Sequence, residues 1–267
     1  MPRTPREKPA IHKAINYIEY LAQYEEELYL KTLTPEQVLR GISAQSRSSG
    51  ETMDSRIKPP ERGLNPHPPY APHQSLAQME ASIKGCLKCS LGTTRTKFVF
   101  GVGSENARVV FIGEAPGREE DLKGEPFVGR AGEMLNHMLE QIGWQRQDVY
   151  ICNIIKCRPP NNRDPQPDEV SMCEPYLHEQ LRLLEPDWLV ALGRVAAQVL
   201  LGTTAPLKAL RGRVHKYRGK PFWVTYHTAA LLRNQNLIPD AHQDLLTLKR
   251  MVESETSPPV GGEEVDA

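Results

Sequence analysis

From about residue 100 onward the chain alternates between short apolar runs and longer amphipathic segments. Three β-branched, apolar runs have the length of buried strands, and they are residues 108–113, 149–155 and 188–193. Apolar residues recur at helical spacing in four segments, which are residues 131–142, 167–184, 194–201 and 241–252. Strands that alternate with helices predict an α/β fold, a three-layer sandwich with a central, mainly parallel sheet.

A second kind of strand pattern lies near the C-terminal end. Residues 213–217 and 222–226 flank a short segment with Gly219 at its centre, which predicts a pair of short strands. In a mainly parallel sheet, ligands bind at the carboxyl ends of the strands. We therefore expect the loops after Ile112, Ile155 and Tyr226 to converge.

The first 75 residues have a different pattern. Ile11, Ile15, Ile18 and Leu21 recur at three- and four-residue spacing, which predicts a helical N-terminal extension over residues 1–43. Residues 44–75 are rich in serine, proline and histidine without periodicity, so they are expected to form a flexible linker. The packed domain is then expected over residues 76–253, with a disordered tail at residues 254–267.

The composition agrees with one packed domain and appendages. Hydrophobic residues make up 39% of the 267 residues and aromatic residues 6%, which is low for a chain that packs throughout. The formal net charge is zero, which argues against a nucleic-acid coat protein but not against an enzyme that meets DNA through a local patch. The basic run at residues 208–220 contains no acid and, taken alone, indicates a solvated charged face.

Nothing in the sequence indicates a membrane protein. No apolar run reaches the length of a membrane-spanning helix, and no N-terminal segment has the pattern of a secretory signal. We expect a soluble, monomeric protein without membrane contact, located in the cytoplasm. In a reducing compartment its five cysteines are expected to be metal ligands or core residues, not disulfides.

Four of the cysteines have the spacing of metal ligands. Cys86 and Cys89 form a C-x2-C pair, and Cys157 and Cys173 flank a proline-rich loop. Two such pairs predict one four-thiolate site, and the spacing alone leaves zinc and an iron–sulfur cluster open. Cys152 lies within a predicted strand and is expected to be a buried free thiol.

Two glycine-rich loops follow the first predicted strand. They read GEAPG at residues 113–117 and PFVGRAG at residues 126–132, and glycine lets the backbone approach a ligand closely. Neither loop has the G-K-[ST] ending of a P-loop or the G-x-G-x-x-G pattern of a dinucleotide site. ATP and NAD chemistry are therefore disfavoured.

Taken together, these motifs resemble the family 4 uracil-DNA glycosylases. The resemblance rests on GEAPG with GEPFVGRAG, Asn153 in NIIKCRPPNNRDP, His227 in YHTAALLRN and the two cysteine pairs, and it spans about residues 76–253. It implies an α/β catalytic domain, uracil-containing DNA as the partner, and hydrolysis that leaves an abasic site for repair. It also implies a 4Fe-4S cluster, instead of zinc, on Cys86, Cys89, Cys157 and Cys173.

The resemblance assigns roles around a flipped-out base. Phe127 would stack on uracil, and the Asn153 amide would read its Watson–Crick edge. His227 would be catalytic and donate to uracil O2, where charge develops. Glu114 would be catalytic beside the attacking water and, with the backbone of Ala115, would also contact the base.

Contacts with the DNA strand are implied further along. Leu231 or Leu232 would wedge into the space left by the base, and Arg233 would contact phosphate. No histidine lies between Cys157 and Cys173, in contrast to the related cross-linking glycosylases, so covalent trapping is not expected.

One residue departs from the family pattern. Thr228 follows His227 where the family usually has proline, so we expect an altered rate or context preference and retained activity. Two rival hypotheses stay open: a cluster- or zinc-stabilised DNA-binding module that has lost catalysis, and a glycosylase of the same fold with another base preference. The N-terminal extension could dock a protein partner.

Overall fold

A computed structural model describes residues 73–254 of the protein. The predicted helical extension at residues 1–43, residues 44–72 of the predicted linker and residues 255–267 of the predicted tail lie outside the described residues. Within the described part of the chain, none of the helices is both long and apolar enough to cross a membrane.

The described residues form a six-stranded sheet with the strand order β1-β3-β2-β4-β6-β5. The strands are β1 Val102–Gly103, β2 Val109–Gly113, β3 Tyr150–Asn153, β4 Trp188–Leu192, β5 Val214–Tyr217 and β6 Lys220–Thr225. The four central strands β3, β2, β4 and β6 are parallel, and the edge strands β1 and β5 are antiparallel to their neighbours. Every residue of β2, β3 and β4 is buried, as expected for parallel strands covered on both faces.

Nine α-helices connect and cover these strands within residues 73–254. They are α1 Leu76–Ile83, α2 Leu91–Thr94, α3 Arg118–Lys123, α4 Arg130–Gln141, α5 Pro167–Leu184, α6 Arg194–Leu200, α7 Leu207–Leu210, α8 Thr228–Arg233 and α9 Ile238–Glu253. Three short 3-10 helices add to them at Arg146–Asp148, Pro160–Asn162 and Gln235–Leu237.

The helices lie on both faces of the sheet. On one face, α1, α5 and α6 pack with Ile112, Ala191 and Val224 into the main apolar core. On the other face, α4 and α9 pack against the ends of β4 and β6 through Leu135, Leu245 and their neighbours. The predicted three-layer sandwich with a mainly parallel sheet is therefore confirmed.

The predicted elements agree with the structure to within a few residues. The helix predicted over 167–184 is found as Pro167–Leu184, with proline at its first turn. The C-terminal strand pair is joined by a tighter turn than predicted, because Arg218 and Gly219 both adopt positive φ (50° and 77°) and Lys220 already belongs to β6. The sequence reading did not predict β1, the helix α1 or the short helices α2, α3, α7 and α8.

The sheet brings the chemistry-bearing loops to one edge. Gly113 at the end of β2 lies opposite Asn153 at the end of β3, and Leu192 of β4 lies opposite Thr225 of β6. Because these four strands are parallel, their carboxyl ends meet at the same edge. The loops that follow them therefore begin side by side.

Candidate active site

A cavity of about 480 Å³, here called the edge cavity, opens at the carboxyl ends of the parallel strands. The five residues predicted to contact a base all line it, and they are Glu114, Ala115, Phe127, Asn153 and His227. The predicted convergence of the loops after Ile112, Ile155 and Tyr226 is thus confirmed, since Pro159 and Asp164 of the second loop also line the cavity. Glu114 and His227 come from the loops after β2 and β6, and Asn153 is the last residue of β3 itself.

Asn153 presents an amide with an unused acceptor. The residue is 2% exposed, and its Oδ1 has no hydrogen-bond partner among the described residues. An unpaired buried acceptor costs about 1–3 kcal/mol, so a ligand donor that reached it would recover that cost. Gly113 leaves the room for this amide, because a Cβ at that position would lie 2.3 Å from Oδ1.

Phe127 contributes an aromatic face between the same two loops. A Cβ on Gly113 would lie 2.7 Å from the Phe127 ring, and the ring centroid lies 5.6 Å from that of His227, with the planes tilted by 32°. The backbone of Phe127 is in the left-handed region, with φ at 51°. Strain of this kind persists at functional sites when the surroundings hold it in place.

His227 is held as a neutral hydrogen-bond donor. It caps the N-terminus of α8, where its Nδ1 accepts a hydrogen bond from the backbone N–H of Ala229 at 3.1 Å. Burial, reinforced by the nearby Arg233 charge, lowers the pKa of His227 to about 4. The ring is therefore neutral near pH 7, and with Nδ1 accepting, its single proton lies on Nε2.

Glu114 has the opposite shift. Burial and the neighbouring Asp164 carboxylate raise the pKa of Glu114 to about 7, while the Arg194 guanidinium opposes that rise. Asp164 and Arg194 form an ion pair at 2.9 Å and also line the edge cavity. A carboxyl group with a pKa near the working pH can take up or release a proton during a reaction.

Thr228 occupies the first position of α8, directly after His227. Proline is favoured at this position because its missing N–H has no partner within the helix in any case. Threonine therefore preserves the helix start and with it the Ala229 contact to His227. The Thr228 hydroxyl is buried without a hydrogen-bond partner among the described residues.

Glu120 was missed by the sequence reading. Its carboxylate accepts hydrogen bonds from the backbone N–H groups of Gly117 (3.1 Å), Val128 (3.0 Å) and Gly129 (3.0 Å). It therefore ties the GEAPG loop to the loop that carries Phe127. The glutamate stands three residues after Gly117 at the start of a helix, a spacing that could have indicated such a cap.

The proposed DNA-contacting residues fare differently. Leu231, one of the two leucines predicted as alternative wedges, is fully buried, with its side chain packed inside the protein. Leu232 is half-buried, and Arg233 is exposed and lines the edge cavity. A wedge and a phosphate contact from these two residues stay predictions.

The four predicted cluster ligands, here called the cysteine group, come from separate elements. Cys86 and Cys89 lie between α1 and α2, Cys157 follows β3, and Cys173 lies in α5. None forms a disulfide, and all four adjoin the same apolar core. Arg95 donates both to the Cys86 carbonyl at 2.6 Å and to Cys157 Sγ at 3.4 Å, so these two segments are adjacent. Burial raises the pKa of Cys157 to about 11, and the Arg95 charge opposes that rise.

Protein donors already point at three of the four sulfurs. Cys86 Sγ accepts from the Tyr176 hydroxyl at 3.3 Å, Cys157 Sγ from Arg95 at 3.4 Å, and Cys173 Sγ from the Lys156 backbone N–H at 3.3 Å. Hydrogen bonds to sulfur are a means by which proteins stabilise iron–sulfur thiolates.

The donor set of the cysteine group is four thiols that form no disulfide. Among the residues that the structure describes, no three His, Cys, Asp or Glu side chains are placed to hold one metal ion. An iron–sulfur cluster would be held by four cysteine thiolates, a ligand set that this group contains. In number, type and hydrogen bonding the residues fit the donor set of such a cluster.

Lys156 joins the cysteine group to the edge cavity, and the sequence reading also missed it. Its backbone N–H donates to Cys173 Sγ. Its fully buried Nζ donates to the backbone carbonyl of Asn153 at 2.8 Å and to Gln180 Oε1 at 2.5 Å. Cys152, predicted to be a buried free thiol, is fully buried and unpaired with another cysteine.

Comparisons with known proteins agree with this geometry. A family model described as the uracil DNA glycosylase superfamily matches residues 100–247. A type-4 uracil-DNA glycosylase of Archaeoglobus fulgidus is 47% identical over 179 residues, which cover 64% of this chain and 90% of the relative. The chain is also similar to type-4 uracil-DNA glycosylases of Thermotoga maritima (41% identical, covering 62% of this chain and 88% of the relative) and Sulfurisphaera tokodaii (40%, 66% and 84%).

Proposed function

Since the chain belongs to the uracil DNA glycosylase superfamily, and within it to the type-4 enzymes, we propose that it hydrolyses the N-glycosidic bond of uracil in DNA. The reaction leaves an abasic site for base excision repair. The observation that carries the proposal is the meeting of Phe127, Asn153 and His227 in one cavity. A ring, an amide and an imidazole from three distant segments match what a flipped-out pyrimidine needs.

Binding uses the ring and the amide. The base stacks on Phe127, a contact worth about 1–3 kcal/mol. The Asn153 Oδ1, which has no partner among the described residues, accepts from uracil N3–H, and its NH2 group donates to O4. Cytosine presents the reverse pattern at these two positions, so a rigid amide discriminates against it.

Bond cleavage leaves negative charge on the departing uracil. The Nε2–H of neutral His227 donates to uracil O2 and stabilises charge that develops only in the transition state. A neutral donor suits this role, because it does not protonate a leaving group that departs as an anion. The Ala229 contact keeps the donor in its tautomer throughout.

Water completes the reaction on the sugar. Glu114 holds the water and takes up its proton, for which a pKa of about 7 is suited. Among residues 73–254, no lysine lines the edge cavity, which supports hydrolysis by water over a covalent lysine intermediate.

The cysteine group would hold a 4Fe-4S cluster. When bound, the cluster supplies a rigid, four-point anchor for the segments around Cys86–Cys89, Cys157 and Cys173. A brown preparation with broad visible absorbance supports iron–sulfur ligation, and a colourless, zinc-containing, active protein would refute it. Monomeric state, cytoplasmic location and a partner for residues 1–43 stay predictions.

The activity test uses a uracil-containing oligonucleotide and the full chain. Alkali-labile strand breaks at the uracil position are expected, and an Asn153→Ala variant should release uracil roughly 100-fold or more slowly, because both base-reading bonds are lost. Asn106→Ala, an exposed residue before β2 at the far end of the sheet, is the matched control and should keep full activity. Binding without strand breaks by the unaltered protein would favour a DNA-binding module instead.

A further inference from the structure

The Phe127 ring depends on a backbone conformation that phenylalanine rarely adopts. Its φ of 51° lies in the left-handed region, where a side chain with a Cβ crowds the following carbonyl. Relaxation to an ordinary conformation would swing the ring away from His227 and the edge cavity. Something outside the cavity must therefore hold the backbone of this residue.

Arg146 restrains the Phe127 backbone from outside the edge cavity. It opens the 3-10 helix Arg146–Asp148 and does not line the edge cavity. Its Nη2 donates to the carbonyl of Pro126 at 2.5 Å, and its Nη1 donates to the carbonyl of Phe127 at 3.1 Å. These two carbonyls belong to the peptide units on either side of the Phe127 Cα, so one planar guanidinium restrains both backbone torsions of that residue.

Two neighbours complete the restraint. Arg146 Nη1 also donates to Asn136 Oδ1 of α4 at 3.2 Å, which orients the guanidinium. Gly132 of α4 lies so close that a Cβ there would come within 1.9 Å of the Phe127 carbonyl oxygen. The hydrogen bonds from Arg146 and the close approach of Gly132 therefore both restrain the Phe127 backbone.

We propose that Arg146 is a positioning residue for base stacking, holding Phe127 in its left-handed conformation so that the ring faces the flipped-out uracil. The inference rests on the proposed function, because it assumes that Phe127 stacks on the base. Lysine cannot replace Arg146, since a point charge cannot bind two carbonyls in a fixed fork.

The test is a double-mutant cycle with Arg146→Ala and Phe127→Ala, measured as single-turnover uracil release with enzyme in excess. Arg146→Ala should slow release roughly 10- to 100-fold, as a misplaced contact group does. In the Phe127→Ala background the same change should cost less than about threefold, because the ring it positions is gone. Inhibition by free uracil should weaken in parallel with the rate of Arg146→Ala.

A purely structural role gives a different result. Fold-changes that multiply in the double variant would overturn the inference while leaving the proposed function intact. Uracil release undiminished by Phe127→Ala would instead contradict the stacking role itself, and the inference with it.

A conservative variant and a chemical rescue distinguish loss of the restraint from loss of folding. Arg146→Lys keeps a charge without the fork and should show the same coupling to Phe127, and millimolar guanidinium should partly restore Arg146→Ala. Full activity of Arg146→Lys would overturn the inference. Arg108→Ala, which removes an exposed arginine paired with Asp187, is the matched control and should leave release and uracil inhibition unchanged.

Discussion

The edge cavity and the cysteine group treat their polar atoms in opposite ways. In the edge cavity, the Asn153 Oδ1 is buried without a partner among the described residues, and Glu114 is buried enough that its pKa rises to about 7. In the cysteine group, three of the four sulfurs accept hydrogen bonds from the protein. The edge cavity leaves one buried amide acceptor available for a ligand, whereas most sulfurs of the cysteine group already accept hydrogen bonds from the protein.

The difference indicates that the edge cavity and the cysteine group have separate roles, although Lys156 contacts both of them. Lys156 donates to Cys173 from its backbone and to the Asn153 carbonyl from its side chain. Lys156 therefore links the cysteine group directly to Asn153. The variants below separate recognition and chemistry in the edge cavity from anchorage in the cysteine group.

The largest expected effect is the loss of the donor in the edge cavity. His227→Ala should lower the single-turnover rate by roughly 100- to 1000-fold, the typical loss on removing an oxyanion donor. His227→Gln, which keeps a neutral N–H, should recover part of that loss. Circular dichroism and visible absorbance should be unchanged, and an equal loss for both variants would argue against a neutral donor.

The next effect concerns the cysteine group and is tested by comparing substitutions of two buried cysteines. Cys157→Ala should abolish visible absorbance and lower the free energy of unfolding by roughly 3 kcal/mol or more, since metal binding contributes directly to folding. Cys152→Ala removes a buried thiol outside the cysteine group and should cost about 1 kcal/mol with absorbance retained. Equal thermal stability of the two variants would contradict the cluster proposal.

A smaller effect appears as pH dependence within the edge cavity. The raised pKa of Glu114, about 7, means that its carboxylate form is lost as the pH falls through 7, so the rate should fall by up to about tenfold per pH unit below that point. His227, with a pKa of about 4, stays neutral over the same range. Glu114→Gln should be slower and independent of pH from 5 to 8; a flat profile for the unaltered enzyme would leave Glu114 only an orienting role.

The smallest effect is expected at the residue that departs from the family pattern. Thr228→Pro places proline at the first position of α8 and removes a hydroxyl that has no partner among the described residues. The rate should stay within about twofold, and stability should rise by about 0.4–1 kcal/mol through a less flexible unfolded chain. A tenfold change in uracil release would instead indicate that the Thr228 hydroxyl takes part in the reaction.

Local sequence patterns predicted the long helices and the central strands better than the short helices and the orientation of single side chains. The helix Pro167–Leu184 was recognisable from its proline start and its apolar spacing, and β2 and β4 from their β-branched runs. The short helices α2, α3, α7 and α8 span only four to six residues, too few for a periodic pattern to emerge. Leu231 looked like a wedge from its place beside the site, but whether a side chain in α8 faces inward depends on the packing of α4 against it.

The sequence by itself determined the alternating strands and helices, the order of the motifs and the residue types that a pyrimidine site requires, because these depend on local spacing and side-chain chemistry. Only the tertiary structure decided the left-handed Phe127 held by Arg146, the tautomer of His227, the raised pKa of Glu114 and the link through Lys156. Each of these arises from burial or from hydrogen bonds between residues distant along the chain, or from a backbone conformation that such contacts maintain. No local pattern encodes those.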